Sequence, residues 1–151
     1  MTEIEIRAAT PSDADALLPM IRGLFGDESI SFDEARTRPV LVRLLGDASL
    51  GRVTIATEVG TACGYAIVTW GFDLEYGGRD AFLTELWVEP EHRSGGLGGR
   101  LLRSVESAAR EAGAGAIHLQ VRPENPAQRL YLRSGFGASP RLFLSRTLPV
   151  R

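Results

Sequence analysis

Several residue types are scarce in this 151-residue sequence, and each shortage narrows what the protein can be. The single cysteine cannot form an intramolecular disulfide, which fits a reducing compartment. The two histidines and the cysteine are scattered without ligand spacing, so no metal site is expected. No run approaches 18 apolar residues, so the sequence predicts no membrane span. A net charge of −2 and a pI near 5.7 give no reason to expect nucleic-acid binding.

Length and composition favour one globular domain spanning residues 1–151. A hydrophobic fraction of 44% suits a soluble protein with one core. The first residues, MTEIEIRAATPSDADALL, lack a basic and then apolar signal region, so a cytoplasmic location is expected. Cys63 lies in the strand-like run TACGYAIVTW, where we expect a small buried residue rather than a nucleophile.

The first third of the chain reads as one strand and two helices. Residues 3–8 alternate as a strand, and Thr10 with Pro11 begins a helix. That helix turns five apolar side chains to the core: Leu17, Leu18, Ile21, Leu24 and Phe25. Ser31 and Glu34 fit an S-x-x-E capping box, and Pro39 predicts a helix in two pieces between about 32 and 46.

The rest of the chain alternates strands with helices. Residues 52–58 and 62–72 are predicted to form a hairpin, with a polar loop over 73–80 and a strand over 81–88. A long helix is expected from Gly98 to about Ala112. A strand over 116–121, a short helix after Pro126 and a last strand near 137–147 complete the order β-α-α-β-β-β-α-β-α-β. Periodicity alone supports an α+β domain.

A glycine-rich turn joins the 81–88 strand to the long helix. It contains the pattern R-x-x-G-x-G, formed by Arg93, Gly96 and Gly98, and matches neither a Walker loop nor G-x-G-x-x-G. Free backbone N–H groups at a helix start bind anions, usually phosphate, and the glycines allow close approach. The expected donors are Ser94, Gly95, Gly96, Leu97, Gly98 and Gly99, with Arg93 adding positive charge.

A second pattern follows in AIHLQVRPENPAQRLYLRSGFG. Asn125 before Pro126 is typical of a helix N-terminus, and Leu130-Tyr131 and Gly135-Phe136 follow at fixed spacing. Together with the glycine turn, this pattern resembles the GNAT (GCN5-related) N-acetyltransferase superfamily. The resemblance implies a mixed, mostly antiparallel sheet flanked by helices and splayed between the fourth and fifth strands. It also implies acetyl-CoA as cofactor, with pantetheine beside Leu86, Trp87 and Val88.

Transfer to an amine requires a base and an acid. Glu85, on the strand beside the cofactor, is the first candidate for the general base, although a one-residue change of register would turn it to the other sheet face. Asp73, Glu75 and Asp80 are second choices, with a solvated loop as the alternative. Tyr131 matches the family tyrosine and is the candidate general acid. Asn125 is expected to cap its helix and to contact the cofactor.

The two histidines carry weaker expectations. His92 precedes the arginine of the glycine turn and is expected to be solvent-exposed. His118 lies on the opposite parity from Ile117 and Leu119, which leaves open a place in the cleft and a part in proton transfer.

Carboxylates are frequent where the family places its acceptor, namely residues 22–38 and 73–80. Asp27, Glu28, Asp73 and Glu75 are the candidates, and they favour a small cationic amine. Protein amino groups, a longer acyl group and a non-catalytic coenzyme A-binding module remain alternatives. Dimers are common in the family, so a homodimer is an open expectation.

Overall fold

The computed structural model describes residues 3–150, which fall into two compact units. The first unit ends at Gln120 and holds the sheet with three helices. The second begins at Val121 and holds one short helix. Among the described residues, no helix has the length and apolar character needed to cross a bilayer.

A five-stranded sheet forms the centre of the first unit. Its strands are β1 (Ile4–Ala8), β2 (Gly51–Glu58), β3 (Thr61–Asp73), β4 (Gly78–Val88) and β5 (Ile117–Leu119). They lie side by side in chain order. All neighbours are antiparallel except β4 and β5, which are parallel. The expected mixed, mostly antiparallel sheet is confirmed.

Helices cover both faces of this sheet. These helices are α1 (Ala14–Asp27), α2 (Glu34–Gly46) and α3 (Leu97–Glu111). The second unit, taken by itself, contains α4 (Ala127–Arg133). Buried residues of α1 and α2 share one core cluster with Tyr65 and Ile67 of β3. On the opposite face, a Cβ at Gly64 would lie 3.1 Å from Leu101 of α3. Two helices therefore lie on one face and α3 on the other.

The sheet opens at the carboxyl end of β4. This strand has 11 residues, but it pairs with β5 only over Ala81–Leu83. Thr84 is an extra residue in the register with β3, which makes a β-bulge. Beyond it, no described residue pairs with β4 on the β5 side. The gap expected between the fourth and fifth strands is therefore present.

The prediction of a divided second helix is wrong, because α2 continues through Pro39. Proline leaves the carbonyl oxygen of Ala35 without its usual donor. Both residues are exposed, so water can hydrate that carbonyl. The helix also begins differently: Asp33, not Ser31, is the N-cap, and its side chain accepts from the Ala35 N–H at 3.1 Å.

The polar loop predicted over 73–80 is shorter than expected. Strand β3 continues to Asp73, which pairs with Gly78 at the start of β4. Gly77 has φ +76° and Gly78 has φ +129°, so glycine permits a tight reversal here. Asp80 therefore lies within β4, and with 4% exposure it is not the solvated loop residue that the sequence suggested.

The predicted last strand over 137–147 does not form in the second unit. Its apolar side chains remain in water, with Leu142 86% and Leu144 85% exposed. A strand needs a neighbour for its ladder, and the described residues of this unit contain no other strand. The alternating pattern is present in the sequence, but it has no partner to pair with there.

Candidate active site

The open edge of β4 presents backbone groups that no other strand uses. The N–H of Glu89 donates to the Cys63 carbonyl at 2.9 Å, so that residue faces β3. Backbone groups alternate sides along a strand. Leu86 and Val88 therefore direct their N–H and C=O groups toward the gap, whereas Trp87 faces β3. Of the three residues predicted to contact the cofactor, these two have the suitable backbone direction.

Glu85 lies directly after the bulge, at the start of this open stretch. The bulge places it opposite Ile67, on the sheet face covered by α1 and α2. The Tyr65 hydroxyl donates a hydrogen bond to Glu85 Oε1 at 2.7 Å. Tyr65 is fully buried, so the contact is fixed from the core side of the carboxyl.

The surroundings of Glu85 change the pKa of its carboxyl. Burial raises the pKa of Glu85, and the hydrogen bond from Tyr65 acts in the opposite direction. Burial, followed by the adjacent Glu85 charge, raises the pKa of Tyr65 far above its usual range, so the phenol stays protonated. A carboxyl with a raised pKa at the edge of a cleft is suited to accept a proton near neutral pH.

Tyr65 is the residue that sequence reasoning missed. Alternation in β3 does place Tyr65 and Ile67 on one face, and this signal was readable. Its meeting with Glu85 depends on the pairing of β3 with β4 and on the Thr84 bulge. Neither the pairing nor the bulge can be read from local pattern.

The glycine turn has the geometry of an anion cradle. Ser94 has φ +67° and Gly96 has φ +85°, and Gly96 is the N-cap of α3. No side chain caps this helix, and its first external backbone bond is from Arg100 N to Gly96 O at 3.2 Å. Within residues 3–150, the N–H groups of Leu97, Gly98 and Gly99 have no hydrogen-bond partner. Such N–H groups fit a diphosphate.

Arg93 makes contacts that the sequence did not indicate. Its Nε donates to the Val88 carbonyl at 2.8 Å, and its guanidinium carbon lies 4.7 Å from the Trp87 ring centroid. Nη2 is 4.0 Å from Asp27 Oδ2, a solvent-exposed pair that contributes little. Arg93 thus fastens the glycine turn to the end of β4. Its predicted contact with phosphate stays a prediction.

The predicted acceptor carboxylates fall into two separate groups. Asp27 and Glu28 lie at the carboxyl end of α1, where Asp27 approaches Arg93. Asp73 and Glu75 lie in the turn before β4, where Asp73 Oδ1 accepts from the Glu75 N–H at 2.9 Å. At about 3.3 Å per residue, the length of β4 separates the two groups by about 30 Å. The structure does not bring them together.

The two histidines are both partly buried. His92, expected in solvent, has a side chain only 23% exposed, with Nε2 3.4 Å from Glu58 Oε1. His118 lies with Nε2 3.2 Å from Asp80 Oδ2, between the rings of Tyr76 and Phe82. His92 is the last residue of a compact 3-10 turn, Pro90–His92, rather than part of an extended loop, which explains the first difference. The Asp80 carboxylate gives the partly buried His118 ring a polar partner, which offsets the cost of burying the ring.

In the second unit, Asn125 makes the expected helix-start contact. Its Oδ1 accepts from the Ala127 N–H at 2.9 Å, although α4 begins one residue later than predicted. Tyr131 is buried on α4, with its ring 6.0 Å from that of Phe136 in an edge-on arrangement. Gly135 has φ +97° and follows the helix, as expected.

No group of three or more potential metal ligands occurs among residues 3–150.

A sheet that opens beside an uncapped helix start, with a partly buried carboxyl at the opening, fits the fold expected for an N-acetyltransferase. The chain belongs to the acetyltransferase (GNAT) family, whose family model matches residues 18–136. The family assignment and the fold expected from the sequence are therefore confirmed.

Three comparisons illustrate this membership. The chain is 30% identical to streptothricin acetyltransferase of Streptomyces lavendulae, over 87% of this chain and 80% of that protein. It is 30% identical to aminoglycoside N(6')-acetyltransferase type 1 of Stenotrophomonas maltophilia, over 93% and 91%. The crystal structure of an aminoglycoside N-acetyltransferase in complex with CoA superposes with a TM-score of 0.84, at 19% identity and over 97% and 96% of the two chains. That last likeness concerns the fold.

Proposed function

We propose that this enzyme transfers an acetyl group from acetyl-CoA to a primary amine of a small cationic molecule. The transfer is direct, within a ternary complex of protein, acetyl-CoA and acceptor, in a single domain over residues 1–151. The observation that carries the proposal is the position of the Glu85 carboxyl at the opening of β4, a few residues before the glycine turn. Family membership supports the reaction type.

The glycine turn and the open edge of β4 fit acetyl-CoA. The unpartnered N–H groups of the first turn of α3 would hold the diphosphate, with Arg93 keeping the turn in place. The backbone groups of Leu86 and the N–H of Val88 would pair with pantetheine, as in an added strand, because the Val88 carbonyl already accepts from Arg93. When bound, acetyl-CoA supplies an activated thioester.

The chain must then remove a proton from the acceptor. A lysine-like amine has a pKa near 10.4, so deprotonation at neutral pH costs about 4–5 kcal/mol. Glu85 takes this proton, directly or through one water. Its raised pKa brings it closer to the amine than an ordinary glutamate, while the bond from Tyr65 opposes complete protonation.

Backbone N–H groups and a phenol stabilise the negative charges that develop on the carbonyl oxygen and on the departing sulfur. As negative charge develops on the carbonyl oxygen, the N–H of Leu86 or Val88 at the open edge stabilises it. Tyr131 donates a proton to the departing thiolate. Asn125, which already holds the start of α4, is assigned a cofactor contact.

Charge at the opening favours a cationic acceptor. Asp27 and Glu28 lie at the end of α1 that approaches Arg93 and Trp87, so they are better placed than Asp73 and Glu75. Relatives named for a streptothricin and an aminoglycoside substrate fit a small-molecule amine. A homodimer is included in the proposal, and sedimentation analysis would check it.

The proposal is tested by release of free thiol from acetyl-CoA with a panel of acceptors. The panel contains aminoglycosides, diamines, small monoamines and peptides with free amino groups. Release with small cationic amines supports the proposal, whereas release with peptides alone favours the protein-directed alternative. Acetyl-CoA binding without release for any acceptor would favour a non-catalytic module. Competition between acetyl-CoA and longer acyl-CoAs tests which acyl group the enzyme transfers.

Glu85→Gln tests the base directly. The amide keeps the shape but cannot take the proton, so turnover should fall by about 10²–10⁴-fold while acetyl-CoA still binds. Glu106→Gln on the exposed side of α3 is the matched control and should keep full turnover. Wild-type turnover in Glu85→Gln would remove Glu85 from the mechanism.

A further inference from the structure

We propose that Tyr65 is a positioning residue for acetyl transfer: its hydroxyl holds Oε1 of Glu85, which leaves Oε2 for the amine proton. This inference rests on the proposed function of Glu85 as base. In the proposed complex, Tyr65 itself contacts neither acceptor nor cofactor. It acts through the carboxyl that it orients.

The contact runs diagonally across two strands. Tyr65 on β3 pairs with Trp87 of β4, and Glu85 lies two residues earlier on the same face. The bond is 2.7 Å from hydroxyl to Oε1, short enough for a charge-assisted hydrogen bond. Because β3 and β4 are paired over nearly their whole length, the two side chains meet on a rigid frame.

Packing keeps the phenol from moving away. Tyr65 is 0% exposed and belongs to the core cluster that includes Leu17 and Ile21 of α1 and Leu41 of α2. A buried ring in such a cluster has one arrangement. The hydroxyl is therefore presented to Glu85 at no further ordering cost, which is what a positioning group requires.

The surroundings add no competing charge to this pair. The side chains of α1 and α2 in the core cluster are apolar. Five charged groups of these helices make contacts elsewhere: Arg22 lies over the Phe32 ring, Arg38 pairs with Asp15 and Glu34, and Asp27 approaches Arg93. Among the described residues, burial and Tyr65 alone act on the pKa of Glu85.

The phenol suits this role because it does not ionise. Its own pKa lies far above the usual range, so it remains a donor at any working pH. A buried carboxylate with no donor would take up a proton and lose its ability to act as a base. The hydrogen bond from Tyr65 thus opposes the effect of burial on the pKa of Glu85 and favours the ionised carboxylate.

The first test follows the Glu85 carboxyl without any acceptor. The chain is labelled with carbon-13 glutamate and titrated by NMR, and the signal missing from Glu85→Gln identifies Glu85. Tyr65→Phe should raise the titration midpoint of this carboxyl by about one to two pH units. Ile67→Val, which trims the same core face and keeps the hydroxyl, should leave the midpoint unchanged. An unshifted midpoint in folded Tyr65→Phe overturns the proposal.

A second variant covers the case in which Tyr65→Phe does not fold. Glu85→Asp is one methylene shorter, which withdraws the carboxyl from an intact Tyr65. Its midpoint should lie further above that of an exposed aspartate than the Glu85 midpoint lies above that of an exposed glutamate, because burial then acts without the hydrogen bond from Tyr65. An elevation no larger than that of Glu85 would overturn the proposal.

The kinetic arm separates this inference from the proposed function. With an acceptor from the panel, the rising limb of kcat/KM against pH should move upward in Tyr65→Phe by the same amount as the NMR midpoint. A limb that stays in place overturns positioning even if the carboxyl titrates as expected. Unchanged turnover in Glu85→Gln instead overturns the base, whatever Tyr65 does.

Discussion

Removing the Asp13 carboxylate should lower the free energy of unfolding at neutral pH, because this carboxylate is held by hydrogen bonds from Arg7 and Thr10. Both oxygens of Asp13 accept from the Arg7 guanidinium at 2.8 Å, and Oδ2 also accepts from the Thr10 N–H. The bond from Arg7 is the main reason that the pKa of Asp13 falls from 3.8 to about 2. At about 1.36 kcal/mol per pKa unit, this difference is worth about 2 kcal/mol.

The expected loss in Asp13→Asn is about 1–2 kcal/mol, because the Arg7 side chain is 39% exposed and solvent weakens the pair. Since the folded pKa is depressed, the stabilisation is complete above about pH 4 and is lost as pH falls through about 2. Urea unfolding of wild type and variant should therefore differ at pH 7 and converge near pH 2.

Asp15→Asn is the matched control for this experiment. Asp15 also pairs with an arginine, Arg38, at 2.7 Å, but its side chain is 86% exposed. We expect it to change the free energy of unfolding by no more than about 0.5 kcal/mol. Equal losses in both variants, or a difference for Asp13→Asn that does not depend on pH, would refute the reasoning.

Two further predictions concern the site. Gly96→Val should abolish acetyl-CoA binding in calorimetry, because φ +85° disfavours a β-branched residue and the strain would displace the backbone N–H groups of the turn. Gly60→Val, at φ +79° in the β2–β3 turn, is the control and should bind normally; binding by Gly96→Val would show that the turn is not the cofactor loop. Tyr131→Phe should lower kcat by about 10²-fold or more with little change in acetyl-CoA affinity, and stopped-flow thiol release checks it. Unchanged kcat would leave Tyr131 without an acid role.

Features that depend on local pattern could be predicted from the sequence. The glycine turn is one, because glycine at left-handed φ and a following helix are encoded within a few residues. The Asn125 contact at the start of α4 is another. Both are short-range, so neither needed knowledge of the sheet.

Features that depend on pairing could not be predicted. The partner of Glu85 follows from the register of β3 with β4, and that of Asp80 from the parallel pairing with β5. Arg93 contacts Trp87 because its loop folds back on β4, which no spacing indicates. Pro39 was misread because propensity ignores whether the freed carbonyl faces water.

The bulge at Thr84 has a consequence for how such a site can arise or disappear. In a regular strand, Phe82 and Glu85 would point to opposite sides; the extra residue puts both on one side. If β4 kept the register of Ala81–Leu83 without a bulge, Thr84 would lie opposite Ile67 and Glu85 opposite Ala66, on the α3 face and away from Tyr65, with every atom of the carboxyl still encoded. With Glu85 as the base, a change of strand register, without any change in chemical composition at the reacting residue, would then separate an active member of the fold from an inert one.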